Sequence, residues 1–228
     1  MLAHLQHFKQ CSIIHPTTSF YRNNGKGVRK LSRTAIIGVT GLHGVGKTTT
    51  LDGMGTMRSD ICIIRVGNEL KDLSKSQTGT YFFDHGLAER DRLRYELGQS
   101  IIERARHQRS LYLLDMHLTD IREGESKVIQ PSNLIKAMAG IILLDARDSI
   151  ILERRSCDPK PHRGLSLSVI AQERLAELSS LRQVHAEYGT PFRVLLTEKA
   201  LAEVQADMLR LLDIMLTGGT TEQERIHA

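Results

Sequence analysis

The sequence predicts an α/β chain: a three-layer sandwich with a five-stranded parallel sheet between two helical layers. Two observations carry this. Short apolar, β-branched runs of strand length alternate with longer segments of helical periodicity, and that alternation gives a parallel sheet covered on both faces. A glycine-rich stretch follows the first run at once, which suits ligands bound at the carboxyl ends of the strands. The 228 residues are enough for one sizeable domain with its own core.

The elements follow in order. Residues 34–40, TAIIGVT, form the first buried strand, and TTTLDGM opens a helix after the glycine-rich loop. Residues 60–66, DICIIRV, form the second strand. Residues 87–108 are helical, with Leu93, Leu97, Ile101 and Ala105 four apart and charges on the other face. Residues 110–115, SLYLLD, make a third strand that ends in an acid. PSNLIKAM is a short helix with Pro131 near its start, and residues 139–145, AGIILLD, are the fourth strand. A short helix over 149–155 leads into a loop with two prolines. The long helix over 167–189 carries Ile170, Leu178, Leu181, Val184 and Tyr188 on one face, with Gly189 as its C-cap. Residues 192–197 are the fifth strand. The last helix runs from about 198 to 216 with Leu201, Val204, Met208, Leu211 and Met215 inward.

Charge is uneven along the chain. The net charge is +5, yet no acid precedes Asp52, while Lys9, Arg22, Lys26, Arg29, Lys30 and Arg33 do. The segment NNGKG and the lack of an amphipathic stripe favour a disordered extension over a transit peptide. A basic arm for nucleic acid is the remaining alternative. The expected domains are therefore a disordered basic extension over 1–33, one α/β domain over 34–216, and a disordered tail over 217–228. There is no Trp, so no aromatic platform for bases is expected. No apolar run has transmembrane length. Cys11, Cys62 and Cys157 lack metal spacing, their odd count suggests free thiols in a reducing compartment, and a cytoplasmic location is expected.

The stretch GLHGVGKTTT meets the pattern G-x-x-x-x-G-K-[ST] through Gly41, Gly46, Lys47 and Thr48. Glycines let the backbone bend so that successive N–H groups face inward, and the following helix adds positive potential. The expected nucleotide contacts are Gly41, His43, Gly44, Val45, Gly46, Lys47, Thr48 and Thr49. Lys47 would reach the β- and γ-phosphates of ATP, and the Thr48 hydroxyl would ligate Mg²⁺. His43 occupies a variable position and reads as a spacer. Asp115, at the end of the third strand, is the second expected Mg²⁺ ligand. His117 lies two residues further and would orient Asp115, a metal-bound water or an attacking water. Arg154, Arg155, His162 and Arg163 sit on a helix end and the loop beyond. Arginines on a closing lid neutralise a transferring phosphoryl group and exclude water.

Absences narrow the class. No guanine-reading NKxD sequence is present, nor an LSGGQ-like signature, and the chain is too short for a remodelling ATPase with its own helical subdomain.

The segments GVTGLHGVGKTT, IRVGNEL, LLDMH and IILLDARDSIILERRSCD with PHR resemble the archaeal-type adenylate kinases. They resemble equally the adenylate-kinase-like ATPases that assist small-ribosomal-subunit maturation. The resemblance covers about residues 35–197. It implies ATP at residues 41–49, Mg²⁺ near Thr48 and Asp115, and lid arginines Arg154, Arg155 and Arg163. It also implies an acceptor site between VGNEL and the helix around Arg90 and Arg94. Asn68 replaces the usual acid after the glycine. Cys157, Pro161 and Gly164 stand where the kinases commonly have Arg, Arg and Asp, which thins the lid. DIREGESKVIQP has the length of the kinase connection.

The sequence thus points to a Mg²⁺-ATP-dependent phosphotransferase acting on AMP, another nucleoside monophosphate or a related small metabolite. A hydroxyl acceptor would call for a carboxylate, with Asp84 or Asp91 as candidates. The alternatives are an ATPase switch on an RNA–protein assembly and a nucleotide-binding protein without turnover.

Overall fold

The computed structural model describes residues 34–108, 110–122, 125–158 and 164–217. The expected extension over 1–33, the tail beyond Thr217, and Arg163 and His162 of the arginine loop lie outside them. Five strands form one sheet: β1 (Ala35–Thr40), β2 (Ile61–Arg65), β3 (Leu111–Asp115), β6 (Gly140–Asp145) and β7 (Phe192–Leu196). The order is β2-β3-β1-β6-β7, and every pairing is parallel. In register, Ile37 of β1 faces Leu113 on one side and Gly140 on the other. The glycine-rich loop therefore leaves the sheet at its centre.

Parallel strands covered on both faces read as continuous apolar runs, and β6 is buried at all six positions. Alternation sends successive side chains to opposite layers. Ile36, Tyr112, Leu114, Ile141 and Leu143 pack against α3 (Val66–Thr78), α4 (Leu87–His107), α5 (Ser132–Ala137) and the second half of α7 (Leu167–Tyr188). Ile37, Val39, Leu113, Ile142 and Leu144 pack against α1 (Lys47–Asp52), α2 (Met54–Met57), α6 (Asp148–Ser156) and α8 (Leu201–Thr217). Gly189 caps α7 in the left-handed region, with φ of 69°, and donates its N–H to His185 O. Among the described residues no helix is long and apolar enough to cross a membrane.

Two elements depart from expectation. Val66 opens α3 rather than closing β2, and its burial with Leu70 and Leu73 is the i, i+4, i+7 pattern of a helix. The DIREGESKV connection folds as an antiparallel hairpin, β4 (Thr119–Arg122) with β5 (Glu125–Val128). Only two residues separate its arms, a spacing that favours a hairpin over a connecting loop.

Position in the fold sets the cost of truncation. Leu113 is fully buried in the middle of the sheet, whereas Leu175 on α7 is 68% exposed. Leu113→Ala is expected to lower the unfolding free energy in a urea titration by about 2–5 kcal/mol. Leu175→Ala should change it by no more than about 0.5 kcal/mol.

Candidate nucleotide site

The chain leaves β1 and turns at Gly41, where φ is 139°. A Cβ at that position would run into the carbonyl oxygen of Leu144 on β6, so both conformation and space demand glycine. Gly44 and Gly46 are also left-handed, with φ of 90° and 94°. Between them Val45 is fully buried and anchors the loop in the apolar layer. The loop carbonyls are taken up by the protein. Val45 O accepts from Thr197 Oγ1 at 2.6 Å and from Arg154 Nη1 at 3.0 Å, and His43 O accepts from Arg155 Nε at 2.9 Å. Holding carbonyls on the outside leaves the inner side to amide N–H groups, as an anion nest requires. Lys47 is 8% exposed, and its ammonium donates to Gly41 O at 2.5 Å and Leu42 O at 3.3 Å.

A cavity of about 770 Å³ opens over this loop. Residues 42–50 line it, together with Asp115, His117, Arg154 and Asp158. The other wall comes from Thr197, Lys199, Leu201 and Val204, none of which the sequence marks as a site residue; Leu201 and Val204 were expected in the core. The signal was available: Thr197 ends the fifth predicted strand, and ligands of such sheets gather at carboxyl ends.

Asp115 lies opposite Val39 on β1 and Arg65 on β2. Burial pushes its carboxyl above the usual range, Lys47 and Arg65 pull it back, and Asp52 adds a smaller upward push. Asp52 is itself paired with Arg65. His117, two residues on, places its ring against that of His43, with centroids 4.4 Å apart and planes at 49°. The backbone beyond β3 is pinned: His117 O accepts from Gln130 Nε2 at 2.6 Å, and Leu118 N donates to Thr40 Oγ1 at 3.2 Å. The Thr40 and Thr119 hydroxyls both donate to the buried carboxylate of Glu177 on α7. Thr48 and Thr49 are exposed to the cavity at the start of α1.

The arginines divide. Arg154 lines the cavity, and its guanidinium also donates to Thr197 Oγ1 at 3.1 Å and Thr197 O at 2.8 Å. Arg155 does not line it. Its side chain is 1% exposed and paired with Glu173 at 2.5 Å, with further donation to Gly164 O at 3.1 Å. Its contacts tie the glycine-rich loop to α7, in place of the phosphate contact the sequence led us to expect.

A second pair of arginines lies on α4. That helix ends just before β3 begins, so its last turn is at the amino edge of the sheet. Its 21 residues span about 31 Å, against about 17 Å for a five-residue strand. The first turns of α4 therefore rise past the carboxyl edge, the edge that carries the glycine-rich loop. Arg90 and Arg94 sit there one turn apart, each 8% exposed. Arg94 pairs with Asp91 at 2.8 Å and lies over the Phe82 ring at 5.3 Å. Among the described residues Arg90 Nε is buried with no hydrogen-bond partner. Asp91 is engaged by Arg94, Asp84 is exposed in a turn at Phe82–Asp84, and neither lines the cavity.

The left-handed glycines, the buried lysine, the strand-end acid and the cavity arginine make this a P-loop enzyme of the kinase/ATPase type. The chain belongs to the AAA domain family, whose sequence model matches residues 40–168. A search of curated proteins returned no match. Among solved structures, the crystal structure of an unliganded sugar kinase from Janibacter sp. HTCC2649 is 18% identical. It aligns over 82% of this chain and 99% of that one, with a TM-score of 0.48.

Mg²⁺ is the metal such a site uses, and the donor set fits: a threonine hydroxyl and a carboxylate, with phosphate oxygens and water to complete an octahedron. Among the described residues no three His, Cys, Asp or Glu side chains form a metal site by themselves. The raised Asp115 carboxyl has a consequence. Between its unfolded and folded pKa the folded state holds more protons, so the unliganded fold loses stability as pH rises through that interval. Asp115→Asn removes the buried charge. At neutral pH it should raise the melting temperature of the unliganded protein while abolishing the extra stabilisation that Mg²⁺ adds to ATP, both read by thermal denaturation.

Proposed function

We propose that the protein is a Mg²⁺-ATP-dependent phosphotransferase that passes the γ-phosphate to a small acceptor bearing an anionic group, a nucleoside monophosphate with AMP as the first to test. The observation that carries this reading is Arg90. Its Nε is buried with no hydrogen-bond partner, and a buried donor left unmade is costly. Arg94, one turn further on, pairs with Asp91, whose side chain is half exposed. A ligand phosphate would supply the missing acceptor in a planar fork geometry. An ATPase acting on water has no use for a second anion pocket at this edge.

The chemistry asks little more of the chain. A phosphate acceptor is already an anionic nucleophile, so positioning and charge neutralisation carry the rate. The loop amides and Lys47 hold the β- and γ-phosphates. Thr48 and Asp115 would hold Mg²⁺, which when bound neutralises charge on the phosphates. Arg154 gives up Thr197 and turns to the transferring group, while Arg155 keeps the loop backbone in place.

A second reading has its own support, because His117 lines the cavity next to Asp115 and can orient a water there. As an ATPase switch, the protein would turn over without an acceptor and stop on His117→Ala. The reading proposed here is tested by ADP formation from Mg²⁺-ATP with AMP, other nucleoside monophosphates, and the matching nucleosides. One monophosphate should raise the rate well above the acceptor-free value, and its nucleoside should not. Arg90→Ala should then raise the KM of that acceptor about 10–100-fold, the worth of a hydrogen bond to a charged group, with a smaller change in kcat. Turnover indifferent to every acceptor overturns the proposal.

A further inference from the structure

Beyond the end of β3 the sheet gives way to side chains. Among the described residues the last backbone bond between β1 and this segment runs from Met116 N to Val39 O at 3.1 Å. One residue later the two chains part. Thr40 leads into Gly41 and the glycine-rich loop, and His117 leads into the β4–β5 hairpin. The Thr40 hydroxyl, fully buried, takes the place of a ladder carbonyl and accepts from Leu118 N at 3.2 Å. Its own proton goes to one oxygen of Glu177, a residue of α7 that is 4% exposed, while the other oxygen accepts from Thr119 Oγ1. We infer that Glu177 is a positioning residue of the nucleotide site, holding the root of the glycine-rich loop and the segment that carries Asp115 and His117 in fixed registry.

A carboxylate suits this place because it accepts at both oxygens, one for each hydroxyl. With its proton committed to Glu177, the Thr40 hydroxyl turns its lone pairs to Leu118 N. Gln130 supplies no such tie, since its bond to His117 O only closes the hairpin excursion on itself. Glu177 also shares one side of α7 with two residues that brace other walls of the cavity. Glu173 takes Arg155, which holds His43 O, and Arg174 takes Asp145 at the end of β6. Positions three and four apart lie on one helix face, so α7 presents these contacts together. The loop is gripped from outside by Thr197, Arg154 and Arg155, so its hold on phosphate does not depend on Glu177. Glu177 instead sets how the strand-end acid stands relative to Thr48, the two donors proposed for Mg²⁺. Partners that orient metal donors in this way are worth about tenfold or more in metal affinity. The inference rests on the Mg²⁺-ATP reading above.

The test is calorimetric titration of ATP into the full chain, once with Mg²⁺ and once with EDTA, so that the factor by which the metal strengthens binding is read without turnover. Glu177→Gln keeps the shape but leaves one oxygen for two hydroxyls. Thr119→Val removes one hydroxyl at nearly constant volume, and Thr119→Ser restores it. In Glu177→Gln and in Thr119→Val the Mg²⁺ factor should fall about tenfold, with the affinity for metal-free ATP unchanged. Thr119→Ser should recover the full factor. A melting curve for each variant shows that the fold is kept, and Thr119→Val with Thr119→Ser decides the matter where Glu177→Gln does not fold. A folded Glu177→Gln or Thr119→Val that retains the whole Mg²⁺ factor overturns the inference, as does an equal loss with and without the metal. A full chain whose own ATP binding is indifferent to Mg²⁺ overturns the Mg²⁺ reading itself, and the inference with it.

Discussion

At Gly41 the backbone passes so close to Leu144 O that no side chain fits, and this approach sets the path of everything that follows. The loop then curves through two more left-handed glycines, and its carbonyls are held from outside by Thr197, Arg154 and Arg155. Those three side chains come from the far strand and from α6, elements distant in sequence. The phosphate cradle is therefore a product of the whole α/β sandwich, and Val45 fixes it to the apolar layer beneath. Lys47 ends up buried with its ammonium on Gly41 O, placed before any ligand arrives.

Such a site opposes stability. Asp115 is a buried carboxylate whose charged form burial disfavours, and Arg90 is a buried cation with an unmet nitrogen. Polar groups in the same region that do not face ligand are satisfied instead. Glu177 accepts from Thr40 and Thr119, and Asp145 accepts from Arg174 at 2.9 Å and from its neighbour's backbone N–H at 2.9 Å.

Much of this was legible in the sequence, for physical reasons. Buried parallel strands are continuous apolar runs, so TAIIGVT and GIILLD announced themselves, and the periodicity of α4 gave Leu93, Leu97 and Ile101. The glycine-rich motif marked the nucleotide loop, because its residue types follow from its backbone. What the sequence hid depends on side-chain direction. Arg154 and Arg155 are adjacent, so helical geometry points them in different directions, and only one reaches the cavity. The His43–His117 contact joins residues far apart in the chain, which no local pattern encodes. Helix α3 was missed because its polar majority masks a narrow apolar stripe of Val66, Leu70 and Leu73.

In the proposed function the cavity over the glycine-rich loop holds a nucleoside triphosphate by its phosphates, with Lys47 as the buried charge that receives them. Calorimetric titration of Mg²⁺-ATP and of adenosine into the full chain and into Lys47→Ala tests it most directly. A single ATP site is expected in the full chain, with binding at least about tenfold weaker for adenosine and for the Lys47→Ala variant, the scale of one lost charge-assisted hydrogen bond. Equal affinity for ATP and adenosine, or ATP affinity untouched by the loss of Lys47, would contradict it.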